Sequence, residues 1–261
     1  MNYQFDHIIH YVASPEKTLE TAKAFGLHAV EGGRHETRGT YNALCYFDLS
    51  YIEWIGIFNQ QLVDEKHVPL SVISSIKESD YTEGIVRLAL RTTQIEKDAQ
   101  LFREKGLEVI GPIDAKRRRP DGELIYWKQL YINDPTIEVR LPFLIEWQEP
   151  DRERRESLQR QSIIAEHKLG SLKLQEIRIP VSDLTCAKQW GDIFHLKQET
   201  EKSEVRLRLD GGDIVFHRSE KKEDESYEVL LQNATVDAST TIFGATYRSL
   251  QKNESRKRDE K

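Results

Sequence analysis

The sequence predicts an α+β fold of tandem βαβββ modules that form a curved mixed sheet around a cleft, with a third related module C-terminal to them. Three observations carry this. FDHIIHYV, rich in β-branched and aromatic residues, is followed by a helix with clear ends and then by strands. The succession returns 80 residues later as GIVRLALRTTQIEKDAQLFREKGLEVIGP, which sets Gly106-Leu107 against Gly26-Leu27 and Arg87 against His7. The tripeptide IEW occurs in a strand of each copy, at 52–54 and 145–147.

Each element has a local reason. Ser14 caps the helix PEKTLETAKAF, Pro15 suits its first turn, and Gly26 ends it. ALCYFDL (43–49) and YIEWIGIF (51–58) read as the strands of the first copy. LIYWKQLYI (124–132) and LPFLIEW (141–147) read as strands of the second. The third copy starts at LQEIRIPVSDLTCAKQWGDIFHL and takes EVRLRLD, GDIVFHR and YEVLLQN as strands. Glu176 then stands where His7 stood, and Val215 replaces Glu53. The expected organisation is two modules, about 1–80 and 81–148, a charged connector at 149–169, a degenerate third module at 170–250 and a disordered tail at 251–261. A small module cannot easily bury its sheet alone. The third is expected to pack on the first two or to form a homodimer with its counterpart in a second chain.

The 261 residues carry 38 Lys+Arg against 44 Asp+Glu, a formal charge of −6. Much of this charge lies in QEPDRERRESLQRQS (148–162), in the loop SEKKEDES (219–226) and in the tail. The mildly acidic balance gives no nucleic-acid footprint. No apolar run approaches the roughly 20 residues of a membrane helix, and MNYQFDHIIHYV lacks a signal-peptide pattern. A cytoplasmic protein without membrane contact is the expectation. Cys45 and Cys186 stand far apart, so neither a disulfide framework nor a structural zinc site is encoded.

Strand alternation sorts the side chains. Phe5, His7, Ile9 and Tyr11 share one face of the first strand. In its counterpart Val86, Leu88 and Leu90 form the apolar face, so Arg87 points into the cleft and, by the repeat, so does His7. Glu53 would meet His7 there, and Glu146 would take the same role in the second module. His7, Glu53 and Glu146 could hold a divalent metal (Zn, Fe, Mn or Ni), which would act as a Lewis acid; either carboxylate could serve instead as a general base. Glu138 is a rival ligand. The competing reading is a polar cluster organised by Arg87, whose guanidinium neutralises the carboxylates and repels a cation. GGRHETRGTYN (32–42) offers His35, Arg38, Thr40 and Asn42 either as a substrate-binding lip or as an ordinary turn. In AKRRRPDGELIYW (115–127) alternation forbids that all three arginines face one site; Arg118 or Arg119 is favoured as an anion clamp. Trp127 floors a pocket or belongs to the core. No nucleophile elbow, P-loop or dinucleotide fingerprint is present.

In their order, DHIIHYV, GGRHETRGTYNALCYF, YIEWIG, RRRPDGELIYW and LPFLIEW resemble the glyoxalase-like domain branch of the vicinal oxygen chelate superfamily, over roughly residues 3–148. The resemblance implies paired βαβββ modules around a shared cleft and a site near His7, His35, Thr40, Asn42, Glu53 and Glu146. It implies action on a small carbonyl or vicinal-oxygen substrate, as a metal-dependent lyase, isomerase or dioxygenase. The superfamily also holds drug-binding resistance proteins without metal, and Arg87 departs from a complete metal tetrad. The alternative is therefore a non-catalytic binder whose pocket contains Arg87, Tyr11, Tyr51 and Trp127.

Overall fold

The computed structural model describes residues 3–66, 68–118, 122–220 and 226–252. The first module is β1 (Gln4–Tyr11), α1 (Pro15–Phe25), β2 (Val30–His35), β3 (Thr40–Phe47) and β4 (Ser50–Ile57). Two short helices, α2 (Gln60–Lys66) and α3 (Val72–Glu78), follow. The second module is β5 (Gly84–Arg91), α4 (Ile95–Glu104), β6 (Glu108–Arg118), β7 (Leu124–Asn133) and β8 (Phe143–Trp147). Helix α1 has the predicted ends: Ser14 accepts a hydrogen bond from the Lys17 N–H, and Gly26 is left-handed at φ 103°.

The expected curved sheet closes completely. Its strand order is β1-β4-β3-β2-β6-β7-β8-β5, a barrel with no free edge. One seam joins the modules through antiparallel β1 and β5, with Ile8 opposite Leu88. The other is a single pair, Arg34 opposite Arg118. Gly33 permits that approach: at φ +125° a Cβ there would lie 2.4 Å from the Arg118 carbonyl oxygen.

One irregularity in β1 decides the site. Phe5 pairs with Leu90 and His7 with Ala89, so Asp6 is an extra, bulged residue. The bulge turns Phe5 to the outer core with Ile8 and Val12 and leaves His7 facing the lumen. The expectation that Phe5 and His7 share a face is thereby corrected.

The C-terminal part also differs from the expected single module. β9 (Lys173–Val181), α6 (Thr185–Phe194), β10 (Lys197–Thr200), β11 (Glu204–Arg208) and β12 (Asp213–Arg218) already form a complete βαβββ unit. The short charged β10 escaped the sequence reading. YEVLLQN therefore begins a fourth, shortened repeat of β13 (Glu228–Ala234), β14 (Ala238–Ile242) and β15 (Ala245–Gln251). β13 runs antiparallel to β9 and parallel to β15, as β5 does to β1 and to β8. Together they make an open seven-stranded sheet in the order β10-β11-β12-β9-β13-β15-β14.

This sheet and its helix pack on the outside of the barrel in one continuous core. Phe194 of α6 meets Tyr3 and Phe102 edge-on at 5.6 and 5.7 Å. The sheet thus buries its apolar face without a second copy of the chain. In the connector, α5 (Asp151–Arg160) buries Arg154 and Leu158, so the segment is more than solvated charge. Of the expected tail, Gln251 closes β15, and 253–261 lie outside the described residues, as do 221–225 of the 219–226 loop. Among the described residues no helix is long and apolar enough to cross a membrane.

Two buried histidines join these parts as neutral rings. His10 uses Nδ1 on the Tyr247 hydroxyl (2.7 Å) and Nε2 on the Phe243 carbonyl (2.8 Å). His167 accepts the His28 N–H at Nδ1 (2.9 Å) and turns Nε2 to the Tyr46 carbonyl (3.1 Å). Burial pushes both from 6.5 down to about 4. Between these values the unfolded chain binds protons that the folded chain refuses, so stability falls as pH falls from 6.5 towards 4. The expected loss is about 2 kcal/mol for each histidine by about pH 4.5. Urea titrations at several pH values check this, with His10→Gln expected to flatten the profile.

Candidate functional site in the barrel lumen

The barrel's inward side chains, with α2 and α3 over its mouth, enclose about 820 Å³, part of it open to solvent. The room left for freely moving solvent is only about 70 Å³, so the lumen is narrow. Its two walls differ. The adjacent strands β3, β2, β6 and β7, with the β2–β3 turn, present Thr40, His35, Arg117, Trp127, Gln129 and Arg38. Strands β1, β4 and β8 and the two cap helices present Ile9, Ile55, Phe143, Val63, Val72 and Ile73.

His7 and Glu53 lie between these walls. The His7 ring stacks on Tyr51 at 4.5 Å and meets Phe143 edge-on at 5.5 Å. Its Nδ1 is 2.6 Å from the Asp6 carboxylate, and its Nε2 is 3.6 Å from Glu53 Oε2. Three sides of the ring are thus occupied, and Nε2 is the atom left for chemistry. Glu53 Oε1 accepts the Asn42 side-chain N–H at 2.5 Å, and Asn42 Oδ1 accepts from Arg117 at 3.1 Å. A polar chain therefore runs from Asp6 through His7, Glu53 and Asn42 to Arg117.

Asp6 is wholly buried. Its second oxygen accepts from Arg91 (3.1 Å) and from the Trp147 indole (3.0 Å), with the Arg154 guanidinium at 3.6 Å. Burial alone would raise its pKa. The His7 hydrogen bond and the charges of Arg154, His7 and Arg91 outweigh burial and hold the carboxyl well below its ordinary range. On the polar wall, burial first, then Arg117 and Arg38, pushes His35 well below 6.5. The neutral ring shares a 2.9 Å hydrogen bond with Thr40.

Seven of the predicted residues meet here: His7, His35, Arg38, Thr40, Asn42, Glu53 and Trp127. Glu146 does not. On β8 the side chains of Phe143 and Ile145 line the lumen, while Glu146 sits opposite Lys128 and accepts the Ile95 N–H (2.7 Å) at the start of α4. The matching IEW tripeptides misled. Glu53 pairs with Ile9; the repeat carries Ile9 to Ala89, which pairs with Phe143. Glu53 thus corresponds to Phe143, and Glu146 lies three residues further on, an odd shift that flips it to the other face. Glu138 is also elsewhere, accepting hydrogen bonds from Ser182.

Arg118 is on the outside, donating to the Gly122 carbonyl (3.0 Å), and Arg119 lies outside the described residues. The arginine that enters is Arg117, on the same face as Ala115. Arg87 faces inward but is spent on the carbonyls of Leu141 (3.1 Å), Ile132 (3.3 Å) and Leu70, beneath the Tyr131 ring. It does not neutralise Glu53. Gln129 and Tyr131 were missed, although their alternation with Trp127 was available as a signal. Gln129 Oε1 accepts from Arg38 (2.7 Å) and from the Tyr131 hydroxyl (2.9 Å).

The donor set does not fit the expected metal. Among the described residues no three His, Cys, Asp or Glu side chains converge, and Glu146 is turned away. His7 and Glu53 remain as two ligands, with Glu53 engaged by Asn42 and two guanidinium groups lining the same space.

The comparisons with known proteins agree with this fold. A model of the glyoxalase-like domain matches residues 5–194. The chain belongs to the glyoxalase-like domain family. A hypothetical protein from Staphylococcus aureus, 23% identical, matches with a TM-score of 0.82 over 96% of this chain and 100% of its own. That likeness extends the shared fold to both sheets. A hypothetical protein from Bacillus halodurans C-125 matches at 18% identity and TM-score 0.43, over 57% of this chain and 98% of its own. Methylmalonyl-CoA epimerase from Mycobacterium tuberculosis matches at 19% identity and TM-score 0.42, over 58% and 91%. No curated protein matches the sequence.

Proposed function

We propose that the barrel lumen is an enzyme site for metal-independent proton transfer to and from a small carbonyl compound, of the isomerase or lyase type. The alignment of Asp6, His7 and Glu53 carries this reading. Asp6 accepts the Nδ1–H of His7 and so fixes the tautomer that presents Nε2 to the lumen. When Nε2 takes a proton, the same carboxylate stabilises the imidazolium. Glu53 stands beside it as the partner base, its orientation set by Asn42. The cap helices contribute Val63, Val72 and Ile73, which exclude water from the pair.

The test is exchange of carbon-bound protons for deuterium, followed by proton NMR, across a set of small aldehydes, ketones and carbonyl acids in D2O. The wild-type protein is expected to exchange a subset of them, with or without a chelator. Glu53→Gln and His7→Gln are each expected to slow exchange by about 10²–10⁴-fold. Exchange that survives both substitutions, or that disappears with the chelator, removes the proposal. A binding-only protein is the second reading, and the polar wall favours it because its donors do not depend on His7. It predicts thermal stabilisation by ligands without exchange.

A further inference from the structure

We infer that the polar wall of the lumen is a carboxylate subsite, and that the natural ligand is a compact organic acid whose apolar body lies against β1, β4 and the cap helices. This rests on the reading of the lumen as the ligand site and narrows its substrate class.

Two buried donors on that wall lack the partner their burial requires. Arg117 is 8% exposed, spends Nη1 on Asn42 and leaves Nε buried with no hydrogen-bond partner among the described residues. Trp127 is also 8% exposed, and its indole N–H is likewise buried and, among the described residues, unpaired. Neither Arg117 nor Arg38 forms an ion pair among the described residues; Arg38 donates to the neutral Gln129. A buried donor without an acceptor is costly, and a buried guanidinium without an anion more so. Such vacancies on lumen-lining side chains mark where a ligand supplies the acceptors.

The chemistry of the acceptor follows. Arg117 offers a planar fork, Arg38 a second cation, and Trp127 a neutral N–H; together they suit a planar anion with two oxygens. His35 is kept neutral, so the wall's charge comes from the two arginines. Glu53 is tied through Asn42 and leaves room for one further negative charge. The opposite wall is Ile9, Ile55, Phe143, Val63, Val72 and Ile73, which rejects a second charge in the interior, while Lys66 of α2 lines the space from an exposed position. The ligand is then a monocarboxylate, with the carbon nearest its carboxylate beside His7 and Glu53.

Thermal shift and calorimetry with phenylacetate and hexanoate, against phenylacetamide, hexanamide and phenethylamine, test this. The carboxylates are expected to stabilise the protein, the amides to bind at least tenfold more weakly, and the amine not to bind. Trp127→Phe removes one N–H without touching charge and is expected to weaken phenylacetate about tenfold and the amide, a neutral acceptor, by less. Arg117→Lys is expected to do the same through loss of the fork, and circular dichroism of both variants confirms their fold. Equal affinity for acid and amide, no stabilisation by either carboxylate, or a Trp127→Phe variant that binds phenylacetate as the wild type does overturns the inference. Carboxylate binding with no deuterium exchange in any compound leaves the subsite standing and removes proton transfer. Exchange of neutral carbonyls with no carboxylate preference does the reverse.

Discussion

Asp6→Asn is expected to destabilise the protein by about 3–5 kcal/mol, the cost of removing one member of a buried charge cluster. The carboxylate has no exposure and serves His7, Arg91 and Trp147 at 2.6–3.1 Å, with Arg154 at 3.6 Å. Asparagine keeps one acceptor and turns an N–H towards groups that are all donors. Arg91 retains Asp151 at 3.1 Å, but Arg154 has no hydrogen-bond partner among the described residues and is left over the Trp147 ring without the ion pair it makes with Asp6. The control is Asp48→Asn. Asp48 holds Arg155 at 2.6 Å on the surface and is expected to cost less than about 1 kcal/mol. Urea denaturation of both variants reads the difference. The substitution also releases the His7 tautomer, so proton exchange falls even in the fraction that stays folded. A cost for Asp6→Asn no larger than that of Asp48→Asn would show that the buried charge cluster does not stabilise the fold.

The same residue shows where the sequence was legible and where it was not. Modules, the α1 ends and the inward position of Glu53 follow from local chemistry and period-2 alternation, and the structure contains them. Alternation assumes an unbroken strand. At Asp6 a bulge breaks it, and nothing in FDHIIHYV announces an extra residue, because a bulge is specified by the partner strand as much as by its own. A second failure is of register. IEW matches IEW by identity, but the strand pairings place Phe143, not Glu146, opposite the repeat of Ile9. Arg117 was the avoidable error: it lies two residues from the inward-facing Ala115, and parity alone separates it from Arg118. Arg154 could not have been foreseen. It sits in a charged run whose composition reads as solvated, and only α5 packing beside Trp147 buries it.

Arg87→Ala is expected to cost about 3–5 kcal/mol and to loosen the cap over the lumen, although Arg87 touches neither His7 nor Glu53. Its guanidinium is held by the carbonyls of Leu141, Ile132 and Leu70, three separate segments, and lies 5.8 Å over the Tyr131 ring. Burial pushes it down to about 9, so it stays charged at neutral pH, held by carbonyl dipoles, with Glu78 acting on it only at longer range. Such a cation satisfies acceptors that β-sheet hydrogen bonding leaves over, and alanine exposes all three at once. The effect is not uniform. Ile132 lies in β7 and Leu141 just before β8, strands that the barrel holds in place by pairing. Leu70 has no strand pairing: it lies in the turn between α2 and α3 with φ 61°, so the guanidinium adds a backbone tie to the barrel beside the packing of its side chain. Hydrogen exchange should therefore accelerate most over residues 68–78 and least over β7. Arg87→Lys keeps the charge but loses the three-way fork, and is expected to fall between wild type and alanine. Uniform acceleration across the barrel would mean that Arg87 serves global stability alone. Acceleration confined to the cap would mean that the position equivalent to His7 in the second module has exchanged a place in the lumen for control over its entrance.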